Sequence, residues 1–274
     1  MLKSFEQLRI RQLQGTRRHI VAVCANDDAT KTALQQAEEF ADVSNVTAAT
    51  PEEAAARAVE MIRNGEGDIL MKGLIGTDQL LRAVLNKETG LLPQGRIMTH
   101  LAMAQIPGYH KILFFTDAAV IPYPTHEQRI QQVRYAVDTC HALGIDKPRI
   151  ALIHCAEHGG KQFPFVDGYA EIQNMAEKGD FGSCLIDGPI DVKCATSRDA
   201  LKAKGLQSSL EGDADVLIFP DIEAGNSFYK TLTRFTLTQT AGLLCGPQCP
   251  VIVPSRGDTP EAKFNSILFA LSTL

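Results

Sequence analysis

An α/β fold is what this sequence of 274 residues predicts, and three observations predict it. Short apolar runs rich in β-branched residues alternate with amphipathic stretches from one end of the chain to the other. Three of those runs, around Met71, Ile218 and Ile252, stop at a turn carrying glycine or proline and polar residues, then reopen as a helix. An apolar content of 45% and a charged content of 22% are those of a globular protein, and the length suffices for two domains of ~100 to 150 residues.

Taken in order, RHIVAVCAN (Arg18–Asn26) reads as the first strand. In the following DDATKTALQQAEEF, Ala33, Leu34, Ala37 and Phe40 recur at helical spacing, with Asp27 or Asp28 as the cap. The turn between them lacks Gly-x-Gly-x-x-Gly, which argues against a dinucleotide site there. Ala41–Thr50 is brief, polar and without strand character, and Pro51 starts a helix that continues through Met61 and Ile62. In DILMKGLIGTDQLLRAVL (Asp68–Leu85) a strand leads to Lys72-Gly73, then to Gly76-Thr77-Asp78, then to a helix carrying Arg82. The lysine precedes the glycines, so this is not a Walker A loop.

Gly95–His100 and Lys111–Asp117 are strand-like, and Pro122 and Pro124 then break the pattern, which places a domain crossing there. The expected division is a discontinuous first domain, 1–122 plus 255–274, and a second domain, 123–254. His126–Leu143 is a helix with Ile130, Val133, Val137 and Cys140 on one face, and RIALIH is a strand ending at Cys155. A loop with Phe163, Pro164 and Phe165 leads to a short helix at Ile172–Glu177, a strand at Ser183–Asp187 and a Gly188-Pro189 turn. Thr196 or Ser197 opens a helix, with Asp199 as capping-box partner. Val216–Phe219 is a buried strand that meets Pro220-Asp221 and Gly225-Asn226-Ser227 before a helix bearing Tyr229 and Lys230. Val251-Ile252-Val253 is the last strand; Pro254 and Ser255-Arg256-Gly257 separate it from a helix near Pro260.

Composition narrows the function. A net charge of −5 argues against nucleic acid or an anionic membrane as a partner. The N-terminus has no secretory h-region, no stretch approaches the ~18 apolar residues of a membrane span, and seven scattered cysteines suit a reducing cytoplasm. His154-Cys155-Ala156-Glu157-His158 spells H-x-x-E-H, whose zinc chemistry needs a helix, whereas here it ends a strand and enters Gly159-Gly160. Cys245 and Cys249 have no second pair, so no metal site is expected.

The three glycine-bearing junctions offer backbone N–H groups, hydroxyls and cations at strand ends, where ligands gather in open α/β sheets. Each alone equally describes an ordinary capped helix. Together DILMKGLIGTDQLLRAVL, KILFFTDAAV, GPIDVKCATSRDALKAKG, GDADVLIFPDIEAGNSFYK and PVIVPSRGDTPEAKFNSI resemble, in order, the phosphate acetyltransferase and phosphate butyryltransferase family, most of all its butyryl or branched-chain branch. The resemblance implies two α/β domains of the isocitrate/isopropylmalate dehydrogenase-like type with an active-site cleft between them, and a cytoplasmic homodimer or higher homo-oligomer. It implies the reaction of a short acyl-CoA with phosphate to give acyl phosphate and CoA, with these two as substrates and no cofactor or metal. By similarity Ser255, Arg256 and Arg82 carry catalysis, and Lys72, Gly73, Thr77, Asp117, Asn226, Tyr229 and Lys230 bind substrate.

The chain departs from the family at several points. Ala262 stands where acetyl-type relatives have an aspartate that could serve as base, leaving Asp258 and Glu261 as nearby substitutes; Lys193 stands for an Asp and Ile121 for an Asn. His154 and Phe165 replace small residues, and Ala41–Thr50 reads as missing a strand. Two other functions fit less well. An NAD- and metal-dependent dehydrogenase of the same architecture would need a carboxylate cluster that Asp117, Asp187, Asp191 and Asp221 do not obviously form, and a CoA-binding protein without catalysis would explain Lys193 and Ala262.

Overall fold

The computed structural model describes residues 2–274. In chain order its first elements are α1 (Phe5–Gln12), β1 (Arg18–Val23), α2 (Asp28–Ala37), β2 (Ala41–Val46), α3 (Pro51–Arg63), β3 (Ile69–Lys72) and α4 (Thr77–Val84). There follow β4 (Thr99–Gln105), β5 (Leu113–Thr116), α5 (His126–Ala142), β6 (Arg149–Ile153), α6 (Tyr169–Glu177), β7 (Leu185–Ile190), α7 (Val192–Thr196), α8 (Arg198–Lys204), β8 (Val216–Ile218) and α9 (Ile222–Phe235). The chain ends with β9 (Gln239–Cys245), β10 (Val251–Ile252) and α10 (Pro260–Leu271). The helices begin where the sequence supplies a side-chain acceptor: Asp27, Thr50, Thr125, Asp191, Ser197, Asp221 and Thr259 each accept an N–H from the first turn.

The chain forms two compact units. A terminal unit comprises 4–98 and 239–274, and a central unit comprises 99–238 with residues 2–3. The boundaries expected at 122/123 and 254/255 lie inside these units. The prolines at 122 and 124 interrupt a loop, but β5, just before them, is paired on one side with β4 and on the other with β8, so the whole run from Thr99 stays in the central unit. At the other end β9 pairs antiparallel with β10, which draws the chain into the terminal unit well before Ser255.

In the terminal unit the strand order is β2-β1-β3-β10-β9, and β2, β1, β3 and β10 are mutually parallel. Ile20, Val21, Ile69, Leu70, Met71, Val251 and Ile252 are fully buried, as expected of parallel strands covered on both faces. In the central unit the order is β4-β5-β8-β6-β7, parallel from β5 to β7. Its core includes Phe115, Ala151, Leu217 and Phe219.

Four strands differ from the sequence reading, and in one of them, β7, the Gly188-Pro189 pair read as a turn after Asp187 lies inside the strand Leu185–Ile190. Ala41–Val46 is a strand after all, paired with β1 over six residues. At the end of the sheet order its polar Asp42, Ser44 and Asn45 need no apolar pattern. β4 begins at Thr99 and runs to Gln105, where the reading stopped at His100. β9, unforeseen, has an apolar run too short to tell a strand from a helix by periodicity. The short helix α7 was also missed, and Lys193 lies exposed on it.

Candidate active site

In the terminal unit the parallel order β1-β3-β10 brings the C-terminal ends of three neighbouring strands to one edge, and the sequence places its chemistry there. β3 ends in Lys72-Gly73. Gly73 donates its N–H to Val23 O at 2.9 Å, and a β-carbon on it would lie 2.5 Å from both Ala25 Cα and Cys24 O. Only a glycine lets the loop after β3 run this close to the end of β1. We expect Gly73→Ala to lose about 1–3 kcal/mol of stability, since rigid backbone has to shift, read as a lowered urea midpoint with unchanged slope.

Lys72 is 3% exposed, and its ammonium donates to Gly73 O and Pro254 O, each at 3.4 Å. The second bond ties the end of β3 to the residue before Ser255. Burial, followed by the positive charges of Arg256 and Lys263, lowers the pKa of Lys72 against the opposing pull of Asp27 and Asp258. Lys72 and Arg256 thus oppose each other at the end of β3 and in the turn after β10, while the Lys263 charge is met by Asp27 at 2.8 Å.

The Ser255 turn is held by Asp258. Its carboxylate accepts the Ser255 N–H at 2.8 Å, and Asp258 N–H donates to Ser255 O at 3.1 Å. Helix α10 is capped by Thr259, which accepts the Ala262 N–H at 3.2 Å, so Ser255 is not a helix cap. Ser255 and Arg256 are exposed, and among the described residues neither side chain has a hydrogen-bond or ion-pair partner. Of the substitute bases named from sequence, Asp258 serves the turn, and Glu261 accepts from Gln239 Nε2 at 2.7 Å.

Thr77 is the exposed first residue of α4. The cap position is Gly76, whose N–H reaches Gln79 Oε1 at 2.9 Å, in place of the Thr77 or Asp78 cap foreseen. Arg82 lies on the same helix with its side chain 82% exposed and loosely paired with Asp78 at 3.8 Å; no hydrogen bond or ion pair joins it to Ser255 or Arg256. Sequence reasoning missed Lys263. Its ammonium, 3% exposed, donates to Asp27 Oδ1 and Thr30 Oγ1 at 2.8 Å each. A lysine on the mostly buried face of the final helix was the available signal.

The central unit holds the remaining predicted residues. Asp117 is 2% exposed, and its carboxylate accepts from Ala119, Val120 and Ile121 N–H groups and from Thr99 Oγ1 at 2.7–3.0 Å. Four donors saturate it, so Asp117 shapes the loop from Asp117 to Ile121. Asn226 donates to Ala118 O at 2.8 Å, and Gly225 packs its Cα against the Asp117 carbonyl with no room for a β-carbon. Tyr229 packs against Phe115 and His100, and Lys230 is exposed with its ammonium 4.9 Å from the Tyr229 ring centroid. Asn226 and Tyr229 thereby support the loop and core, and Lys230 is the member with a free face.

His154 and His158 follow β6 in a turn, without the helix that H-x-x-E-H zinc binding requires. Glu157, Asp191 and Cys194 gather their ligand-type atoms closely, but the Lys204 ammonium sits 2.6 Å from both carboxylates and supplies the charge itself.

The Phosphate acetyl/butaryl transferase family model matches residues 10–271. A phosphate butyryltransferase of Clostridium beijerinckii is 41% identical over 220 residues, 80% of this chain and 72% of that protein. A branched-chain phosphotransacylase structure from Enterococcus faecalis V583 superposes with a TM-score of 0.82 at 28% identity, covering 93% of this chain and 98% of that one. A 4-hydroxythreonine-4-phosphate dehydrogenase structure from Salmonella typhimurium shares the fold alone, with a TM-score of 0.51 at 12% identity over 98% of this chain and 87% of the other. With the family match running nearly end to end and a relative 41% identical over 80% of the chain, this chain belongs to the phosphate acetyl/butyryl transferase family.

Proposed function

We propose that this chain catalyses transfer of a short acyl group between CoA and inorganic phosphate, with butyryl or branched chains preferred to acetyl. One observation supports this reading above the others: the Ser255 hydroxyl and Arg256 guanidinium stand unpartnered beside buried Lys72 at the end of three parallel strands, in a member of this family. A phosphate oxygen attacks the thioester carbonyl carbon, the C–S bond breaks, and the sulfur leaves as thiolate to take up a proton. Phosphate at neutral pH is already partly dianionic, so its attack calls less for a strong base than for orientation and relief from desolvation. Arg256 offers a planar two-pronged donor for the anion, and Lys72 adds a fixed positive charge behind it. The Ser255 O–H donates to the oxyanion of the tetrahedral intermediate or to the departing sulfur. Arg82 is assigned to the anionic CoA, for which an exposed guanidinium on a flexible stem is suited. No prosthetic group enters this scheme, and a homodimer is the proposed assembly.

The test is release of free CoA from acetyl-, propionyl-, butyryl- and isobutyryl-CoA, with and without phosphate, after exhaustive dialysis against a chelator. Phosphate-dependent release, fastest with butyryl or isobutyryl, is expected. Release that ignores phosphate would indicate a thioesterase, and none at all would leave a CoA-binding protein without catalysis.

A further inference from the structure

The central unit contains a cavity of about 410 Å³ lined by none of the residues assigned to acyl transfer above. Its walls come from the end of β6 (His154, Cys155), the loop after it (Phe163, Phe165), and the end of β8 with the first turn of α9 (Phe219, Ala224). All of these belong to the central unit, which builds the cavity alone. Aromatic groups dominate. The His154 ring stands edge-on to Phe163 at 4.7 Å and to Phe165 at 5.7 Å between centroids, and the two phenyl rings stand edge-on to each other at 6.1 Å.

The wall is built to keep its shape. Arg129, 2% exposed, donates to the carbonyls of Phe219 and Pro220 at 3.3 Å and places its guanidinium 5.5 Å from the Phe165 ring centroid. Tyr169 packs against Phe165 and bonds Ile153 O at 2.9 Å. Phe165 is thus held by a cation and a phenol ring that are themselves tied to the strand ends. His154 is 4% exposed, and among the described residues its ring nitrogens have only the Cys155 sulfur, at 3.9 Å, as a hydrogen-bonding neighbour. A thiol is a weak partner, so a buried imidazole lines this cavity with its hydrogen-bonding capacity largely unspent. Burial and the nearby His158 lower its pKa, so at neutral pH the ring is uncharged and has one donor and one acceptor nitrogen.

Size and polarity narrow the occupant. An apolar cavity of ~150 Å³ already takes up benzene, so this one has room for a ring, a linking carbon and an amide. Two carboxylates border it, and each already faces a cation. Asp191 accepts from Cys194 N–H at 2.7 Å and from the Lys204 ammonium at 2.6 Å; Asp221 accepts from Ala224 N–H at 2.8 Å, and its charge acts on the Arg129 guanidinium. Neither calls for a cationic guest, and both disfavour an anionic one. A neutral guest remains, and edge-on rings on the wall favour a flat aromatic one over an aliphatic chain.

We propose that this cavity is a binding site for a small neutral arene carrying one amide-like group, its ring packed edge-to-face with Phe163 and Phe165 and its polar group bonded to the His154 imidazole. The site stands whether or not the chain performs the acyl transfer proposed above. The test uses the full chain with phenylacetamide as the probe, read by calorimetry and by the slowing of iodoacetamide alkylation at Cys155, mapped by peptide mass spectrometry. Cys155 lines the cavity and is the exposed one of the seven thiols. Phenylacetamide should slow its alkylation saturably, and acetamide should not. Phenylacetate, of the same shape but charged, should bind at least about tenfold more weakly. Phe165→Leu should weaken phenylacetamide binding about fivefold to tenfold, the value of one good aromatic contact. His154→Leu should weaken it several-fold while leaving toluene, which offers the imidazole no partner, unchanged. Cys140, 0% exposed, reports on folding: it should stay unalkylated in each variant.

Absence of saturable protection at Cys155 would overturn the inference. So would equal binding of phenylacetate and phenylacetamide, an unchanged affinity in Phe165→Leu with Cys140 still protected, or equal losses for phenylacetamide and toluene in His154→Leu.

Discussion

Replacing Ser255 by alanine should lower kcat for phosphate-dependent CoA release by about 100- to 1000-fold, with the KM for phosphate and for the thioester changed only a few-fold. A hydroxyl aimed at charge that develops only in the transition state contributes to kcat and little to ground-state binding, and the loss of one such donor has this magnitude. The local structure makes the experiment clean. Ser255 is exposed, its hydroxyl holds nothing in the protein, and the turn is fixed through its backbone by Asp258. Melting temperature should therefore be unchanged. Arg256→Lys is the companion variant: it keeps the charge but loses the fork, so the KM for phosphate should rise while the effect on kcat is smaller. Wild-type turnover in Ser255→Ala, or a defect confined to KM, would remove the serine from the chemistry.

The second large effect concerns stability. Asp27 caps α2 and receives the buried Lys263 ammonium at 2.8 Å, with Thr30 N–H at 2.9 Å and Thr30 Oγ1 at 2.7 Å. Burial alone would raise the Asp27 pKa. The hydrogen bonds from Lys263 and Thr30, with the Lys263 charge, outweigh it and hold the carboxyl well below the usual carboxylate range. Asp27→Ala would strand a lysine that is 3% exposed, a loss of about 3 kcal/mol, at the low end for a buried pair because the Asp27 side chain is itself 26% exposed. The double variant Asp27→Ala/Lys263→Met should recover part of it, since no buried charge is then left alone. The sign with pH follows from the depressed pKa. The contribution is complete above the unfolded value of about 3.9 and is lost as pH falls through the lower folded value. Urea midpoints from pH 6 down to pH 2 should thus fall more steeply for the wild type than for Asp27→Asn; parallel curves would show that the pair contributes nothing.

Much of the fold is legible because apolar periodicity and caps are local signals. Asp27, Thr125, Ser197 and Thr259 sit where their helices begin, and the runs at Ile69, Val216 and Val251 are buried strands. Legibility fails where burial is settled by neighbours. Ala41–Val46 looks like a loop because its polar side chains point away from the core, yet it gains a full ladder from β1. The expected boundary at Pro122-Pro124 fails for the same reason, since strand pairing, and not the prolines, sets the limits of the central unit.

The site divides along the same line. Residue types and their order along the chain, Lys72-Gly73, Ser255-Arg256 and Gly225-Asn226, were enough to identify the family and the acyl-transfer chemistry, because a chemical role constrains which side chain stands at a strand end. Which of those residues are free to act was decided only by the tertiary structure. Asp117 and Asn226, expected at the substrate, also make hydrogen bonds to the loop at 117–121, which the sequence does not show. Lys263 looks like surface and proves to be a buried cation tied to Asp27. A sequence shows that a polar group is present, whereas its availability depends on donors and acceptors brought from far along the chain, and those distances exist only once the strands have paired.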